Sequence, residues 1–155
     1  MSELQDTDDL RFIQPTPNVG IGTGVLLLNN SDRVLLVRRP FSLETDRGEW
    51  SQPGGRLEFA QEPETALRQL VRRRFGITLS ALDLLTVHTH MSRHLETEVQ
   101  WVSICYLCTR FTTEKSVSGE LTMPNWEWFP LTNLPSSLTT YTVATVAALL
   151  KRLHT

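Results

Sequence analysis

The sequence predicts one α/β domain, a sandwich with strands on both sides of a central helix, rather than a bundle or a barrel. Three observations carry this. Residues Glu62 to Phe75 show helical spacing with start and stop signals at their ends. Apolar, strand-like runs lie before and after that helix, and a second helical period closes the chain. The 155 residues, 40% of them hydrophobic, suffice for a core without disulfide or metal staples.

The elements follow in order. Met1 to Pro17 reads as a flexible acidic leader, residues 1–17, ahead of a domain over residues 18–155. Asn18 to Leu28 is a glycine-punctuated strand and Arg33 to Val37 a second, with Asn29-Asn30-Ser31-Asp32 as the turn. Arg38 to Pro53 is a polar connection running into Gly54-Gly55. In the helix, Pro63 suits the first turn, Glu64 suits the dipole and Gly76 stands where a left-handed terminator belongs. Ala66, Leu67, Leu70, Val71 and Phe75 form its apolar stripe. Leu82 to Met91 and Val99 to Phe111 are two long strands joined through Ser92 to Glu98. Trp126 to Phe129 is a short aromatic strand whose two tryptophans read as packing, one inward and one outward. From Ser137 to Leu153 a packed helix is expected to bury Leu138, Val143, Val146, Ala147, Leu150 and Leu153.

Charge excludes some partners. Fifteen basic and 17 acidic residues give −2, but Glu3, Asp6, Asp8 and Asp9 lie in the first ten residues and leave the remainder at +2. That balance does not advertise a grip on duplex DNA. No run approaches the ~20 apolar residues of a membrane span, and no secretory pattern opens the chain. Cys105 and Cys108, three apart on a strand, point to opposite faces and read as half-buried thiols in a reducing cytosol, so a cytoplasmic location is expected.

The stretch from Gly55 to Ile77 resembles the Nudix box, G-x5-E-x7-R-E-U-x-E-E-x-G-U with U apolar, and its glycine-to-glycine spacing is the family's own. Val34-Leu35-Leu36-Val37-Arg38-Arg39 is similar to the family's strand leading to a basic residue. Trp126-Glu127-Trp128-Phe129-Pro130 is similar to its late aromatic strand. Gly-Gly-Arg-Leu-Glu-Phe, from Gly54 to Phe59, most resembles the small MutT-like branch that cleans nucleoside triphosphates. The resemblance implies a Nudix α/β/α sandwich with a mixed sheet, a single domain over residues 18–155.

The box is degenerate at every charged position. Gly55, Val71, Gly76 and Ile77 match, whereas Gln61, Gln69, Leu70, Arg73 and Arg74 replace the first glutamate, the arginine and the helix glutamates. Mg²⁺ takes hard oxygen ligands, which the family supplies from one helix face. Leucine has no lone pair to offer, and guanidinium is a permanent cation without an acceptor. Across Gln61, Leu70, Arg73 and Arg74 the charge moves from the family's −4 to +2. At an effective dielectric of about 20, a guanidinium roughly 5 Å from Mg²⁺ is repelled by on the order of 6 kcal/mol. No catalytic residue is therefore assigned, and no cofactor is expected; Mg²⁺ or Mn²⁺ enters only if hydrolysis persists. Glu58 and Glu62 are the remaining, weak metal candidates.

In place of a metal, arginine can hold a diphosphate by forked, charge-assisted hydrogen bonds. Arg38, Arg39, Arg56, Arg73 and Arg74, with the Gly54-Gly55 loop, Glu58, Trp50 and Phe41, are the expected binding residues. The competing reading makes Arg68, Arg72, Arg73 and Arg74 a solvated helix face. Trp101 and Tyr106 are further stacking candidates, each also readable as core. His88, His90 and His94 are a candidate metal cluster against the plainer reading of a solvent-edge strand. The expected function is binding of a nucleotide or nucleotide-diphosphate derivative with little or no Mg²⁺-dependent hydrolysis. The alternatives are an active pyrophosphohydrolase with unusual ligands, and an RNA- or protein-binding module. A nucleotide-like small molecule is the expected partner, without membrane or duplex DNA; a homodimer stays open, since many relatives dimerise.

Overall fold

Two strands with continuous apolar runs set the layering. In the computed structural model, which describes residues 18–40, 47–114 and 125–155, these are β1 (Val19–Leu27) and β2 (Arg33–Arg38). Successive side chains on a strand point to opposite faces. Val25, Leu27, Leu35 and Val37 accordingly join one core with α1 (Pro63–Phe75), while Leu26, Leu28, Val34 and Leu36 join another with α2 (Thr140–Leu153). Burying each such side chain contributes about 1.5–3 kcal/mol, so the run stabilises both layers at once. The result is the expected α/β/α sandwich.

The remaining strands are β3 (Trp50–Ser51), β4 (Gly54–Arg56), β5 (Ile77–Leu79), β6 (Asp83–His94), β7 (Thr97–Cys108), β8 (Phe111–Thr113) and β9 (Trp126–Pro130). The largest sheet has the order β4-β1-β7-β6 and is mixed: β1 runs parallel to β7 and antiparallel to β4. A second sheet, β3-β2-β9, and a two-stranded pair, β5-β8, complete the described strands.

Helix α1 is bounded as its signals predict. Glu62 is the N-cap, its carboxylate accepting from the backbone N–H groups of Glu64 and Thr65 and from the Thr65 hydroxyl at 2.6 Å. Gly76 closes the helix at φ 65°, in the left-handed region where a side chain would be strained. Leu67, Leu70, Val71 and Phe75 are buried.

Several expectations change. The turn between β6 and β7 shrinks to Leu95-Glu96, with Leu95 at φ 56°, because the ladder continues to the His94–Thr97 pair. Leu138 does not start the last helix: Trp50 bridges to it, and the Trp50 N–H donates to the Ser137 carbonyl at 2.7 Å. Helix α2 also presents a different face. It buries Thr142, Thr145, Val146 and Leu149 and exposes Val143, Ala147, Leu150 and Leu153, because Thr142 and Thr145 meet the polar Gln52 and His88 while Val146 and Leu149 reach the second core. Trp126 and Trp128 share one face, as residues two apart must, and both pack on the α1 core. Cys105 and Cys108 are free and fully buried, not half-buried. Residues 1–17 and Phe41 lie outside the described residues.

Candidate functional site

Glycine at every second position of β1 empties one face of that strand. Gly20, Gly22 and Gly24 pair in register with Trp101, Ser103 and Cys105 of β7, and Trp101 and Ser103 pair with His90 and His88 of β6. Register partners share a face, so this face carries a bare central strand flanked by polar and aromatic side chains. The Trp101 ring lies over Gly20, where an added Cβ would stand 2.6 Å from it. The Gln52 amide lies over Gly24 in the same way, at 2.6 Å. Over Gly22 nothing comes closer than 3.6 Å. A cleft of about 290 Å³ opens there, extending to the Gly54-Gly55-Arg56 strand and the end of α1 at Arg74 and Phe75.

The arginines enter from three elements. Arg39 follows β2 and donates to the Tyr141 hydroxyl at 3.4 Å. Arg56 ends β4; its Nε stands 4.0 Å from Glu58 Oε1, with both side chains mostly exposed. Arg74 sits in the last turn of α1, half-buried at the edge of the cleft. Burial pushes its pKa below the usual guanidinium value, and neighbouring Arg73 pushes it the same way. Among the described residues no carboxylate pairs with Arg74. A desolvated cation without a counter-charge is costly, and an anion in the cleft relieves that cost.

Of the expected binding residues, the fold thus gathers Arg39, Gly54, Gly55, Arg56 and Arg74 around one cleft. Arg38, Trp50, Glu58 and Arg73 do not line it. Arg38 is exposed and donates from Nε to the Gly48 carbonyl at 3.2 Å. Arg73 is exposed, as are Gln61, Gln69 and Glu58. Trp50 packs edge-on against Phe129, ring centroids 4.9 Å apart, and Tyr106 is buried in the α1 core. Arg68 donates to the Leu79 carbonyl and Arg72 stands 3.7 Å from Glu114, so both serve the fold. Reading from sequence missed Gln52, Ser103, His90 and Tyr141 as cleft residues; the alternating glycines of β1 were the available signal.

His88 and His90 sit on β6, an edge strand of its sheet, with their side chains half-buried. His88 is half-buried beneath α2, with Nε2 3.2 Å from the Thr145 hydroxyl and 3.6 Å from Cys105 Sγ. Burial lowers its pKa, which favours the neutral ring. His90 stacks at a tilt on Tyr141, centroids 5.0 Å apart. Burial likewise pushes the Cys105 thiol up, against hydrogen bonds from Thr145 and Gln52 that pull it down, so a thiolate is disfavoured.

A family model of the NUDIX domain matches residues 19–150. The chain belongs to the Nudix family. It is 27% identical to a MutT NUDIX hydrolase from Burkholderia pseudomallei, whose crystal structure superposes with a TM-score of 0.72 over 84% of this chain and 98% of that one. It is 26% identical over 110 residues to a MutT-like protein of Streptomyces ambofaciens, covering 71% of this chain but only 64% of the relative's length. The NUDIX domain of Shewanella oneidensis NrtR, solved in complex with ADP ribose, shares the fold at 18% identity and a TM-score of 0.67, over 94% of this chain and 98% of that one. The chain is thus a Nudix-fold protein related to MutT hydrolases.

The Mg²⁺ centre implied by a Nudix box does not fit the residues here. Leu70 is buried, and its Cδ1 fills the space beside Gly55 to within 2.6 Å of where a Cβ would stand. Gln61 accepts the Glu58 N–H through its side-chain oxygen at 2.8 Å, and the Glu62 carboxylate caps α1. Arg74 brings positive charge to the edge of the same cleft. Among the described residues no three acidic, histidine or cysteine side chains converge in a way that could hold a metal ion.

Proposed function

We propose that this Nudix domain binds a nucleotide or a nucleotide-diphosphate derivative in the glycine-floored cleft, with guanidinium groups in place of a metal and with little or no Mg²⁺-dependent hydrolysis. One observation carries the reading: Arg74 stands half-buried at the cleft edge with no carboxylate partner among the described residues. Arg39 and Arg56 line the same cleft, and planar guanidinium forks match phosphate oxygens. The ADP ribose complex of the Shewanella oneidensis relative supports the ligand class, since that ligand joins an adenosine to a ribose through a diphosphate. The phosphates would lie against Arg74 and Arg56, and the remainder of the ligand over the β1 glycines.

The test is thermal unfolding of the full chain with ADP ribose, ADP or pyrophosphate in the presence of chelator, alongside a hydrolysis assay with Mg²⁺ or Mn²⁺. A rise in Tm in chelator, without product at high protein concentration, supports the proposal. Metal-dependent turnover would instead show an active pyrophosphohydrolase. Binding to single-stranded RNA that weakens steeply with salt, with no response to nucleotides, would favour the RNA-binding alternative.

A further inference from the structure

One half of the largest sheet inverts the usual alternation of strand side chains. A sheet with one face in water turns its apolar side chains toward the core and its polar ones outward. Here Gly22, Trp101, Ser103 and His90 turn into the cleft, and the opposite face of their strands is apolar and bare. Register partners gather Val19 and Ile21 of β1, Val102 and Ile104 of β7, and Val87 and Met91 of β6 on that face. The other three positions among them are threonine or glutamine, so nine neighbouring residues carry no charge. Helix α1 covers this face only farther along, where Val25, Leu27 and Tyr106 are buried. Val19 and Ile21 are 41% and 43% exposed, and Val87 and Met91 are 54% and 59% exposed. With Leu84, on the same side of β6, they make up half of the ten large apolar side chains that stand exposed among the described residues.

We infer that this face is a homodimer interface, packed face to face on the same face of a second copy of the chain. Size supports it. With about half of each of five large side chains uncovered, the apolar patch is on the order of 400 Å². Homodimer interfaces are about 65% apolar, so a patch of that size implies about 600 Å² on each partner. The total of roughly 1,200 Å² is the low end of specific association. Shape and charge support the same partner. Five of the six apolar residues are valine or isoleucine, whose stiff side chains give an even surface that another sheet can meet at about 10 Å. At the hairpin end Arg93 and Glu98 stand 3.8 Å apart and satisfy each other, so the face selects a neutral surface rather than a charged one. A two-fold axis presents that same neutral face from both chains. The cleft opens on the other side of the sheet and stays accessible in such a dimer, so the inference stands apart from the nucleotide reading.

Sedimentation equilibrium of the full chain, from about 1 µM to about 1 mM protein, tests this. An interface of this size predicts a reversible dimer with a Kd in about the micromolar range. Ile21→Lys, and separately Val87→Lys together with Met91→Lys, should each weaken the dimer at least about 100-fold, because each buries an unpaired charge in the joint. These side chains are already half-exposed in the single chain, so circular dichroism melts at low concentration should show each variant folded with little change in Tm. Val143→Lys with Leu150→Lys, on the exposed side of α2, is the control and should leave the Kd unchanged. A chain that stays monomeric at about 1 mM overturns the inference, whatever else then covers the face. So does a dimer that survives Ile21→Lys, since β1 is an inner strand and loss with the β6 pair alone would mean edge-to-edge pairing instead. A dimer broken by the α2 control puts the interface elsewhere and overturns it too.

Discussion

Replacing Arg74 by glutamine removes one positive charge from the cleft edge while keeping most of the side chain's length and polarity. The burial of Arg74 sets the size of the effect. A fully exposed ion pair is worth about 0–1 kcal/mol, while unit charges 4 Å apart at an effective dielectric of about 20 attract by about 4 kcal/mol. A half-buried guanidinium lies between, close to the ~1.5–3 kcal/mol of a hydrogen bond to a charged group. Affinity for a nucleoside diphosphate should therefore fall about 10- to 100-fold at low salt. Arg56→Gln is the internal comparison: its side chain is mostly exposed, so less than about a fivefold loss is expected. Ligand-free stability should change little. Removing Arg74 gives up its favourable place at a helix C-terminus, worth about 0.3–1 kcal/mol, but relieves its burial and its repulsion by Arg73. Calorimetric titration in chelator, with melts of each variant, reads both quantities. Affinity within twofold of wild type for Arg74→Gln would refute the argument that this cation holds the phosphates.

Three further outcomes follow from contacts elsewhere. Gly55→Ala forces a Cβ to within 2.6 Å of Leu70 Cδ1, so it should cost about 1–3 kcal/mol in chemical denaturation. Combined with Leu70→Ala, which alone should cost about 2–5 kcal/mol, the pair should be less damaging than the two costs added; strict additivity would show that the two residues do not press on each other. Burial holds the His88 pKa below its usual value of about 6.5, so the unfolded chain binds the proton more readily. Stability tied to this group is present above that value and is lost as pH falls toward the folded pKa; melts from pH 7.5 to 5 should show a smaller decline for His88→Gln. Finally, Glu62→Ala should lower the Tm through loss of the α1 cap but leave nucleotide affinity unaltered, and an affinity loss would place that carboxylate in the binding site after all.

Much of this fold is legible in the sequence because its long elements have a period. Leu26 to Leu28 and Val34 to Val37 are apolar without interruption, as strands covered on both faces must be. Pro63 and Gly76 mark α1 by local backbone chemistry that needs no tertiary partner. The short strands β3, β4, β5 and β8 have two or three residues each, too few for any period, and exist because distant partners meet them. The face of α2 was hidden for a different reason. Its buried Thr142 and Thr145 count as polar in a hydropathy pattern, yet their hydroxyls find the Gln52 N–H, the Thr139 hydroxyl and the Tyr141 carbonyl.

The cleft divides in the same way. Gly54, Gly55 and Arg74 belong to one contiguous motif, so a family pattern brings them to attention at once. Ser103 and His90 meet through the register of β7 with β6, while Gln52 comes from a loop and Tyr141 from a helix, so no one segment of sequence carries the four. The box matches the family pattern where it shapes the backbone and departs from it at the charged positions, and the structure gives a physical reason why these separate. Gly55 is needed where Leu70 packs against it, and Gly54 where an added Cβ would meet the Thr23 carbonyl oxygen at 2.4 Å. Those demands are steric and independent of charge. The fold therefore tolerates an arginine at position 74 and a leucine at position 70, because the first reaches the cleft edge and the second joins the core. A single Arg74→Glu change would supply one carboxylate beside a leucine that coordinates nothing. The departures from the family's metal ligands are consequently spread over several positions of the helix, whereas the proposed anion site rests mainly on one.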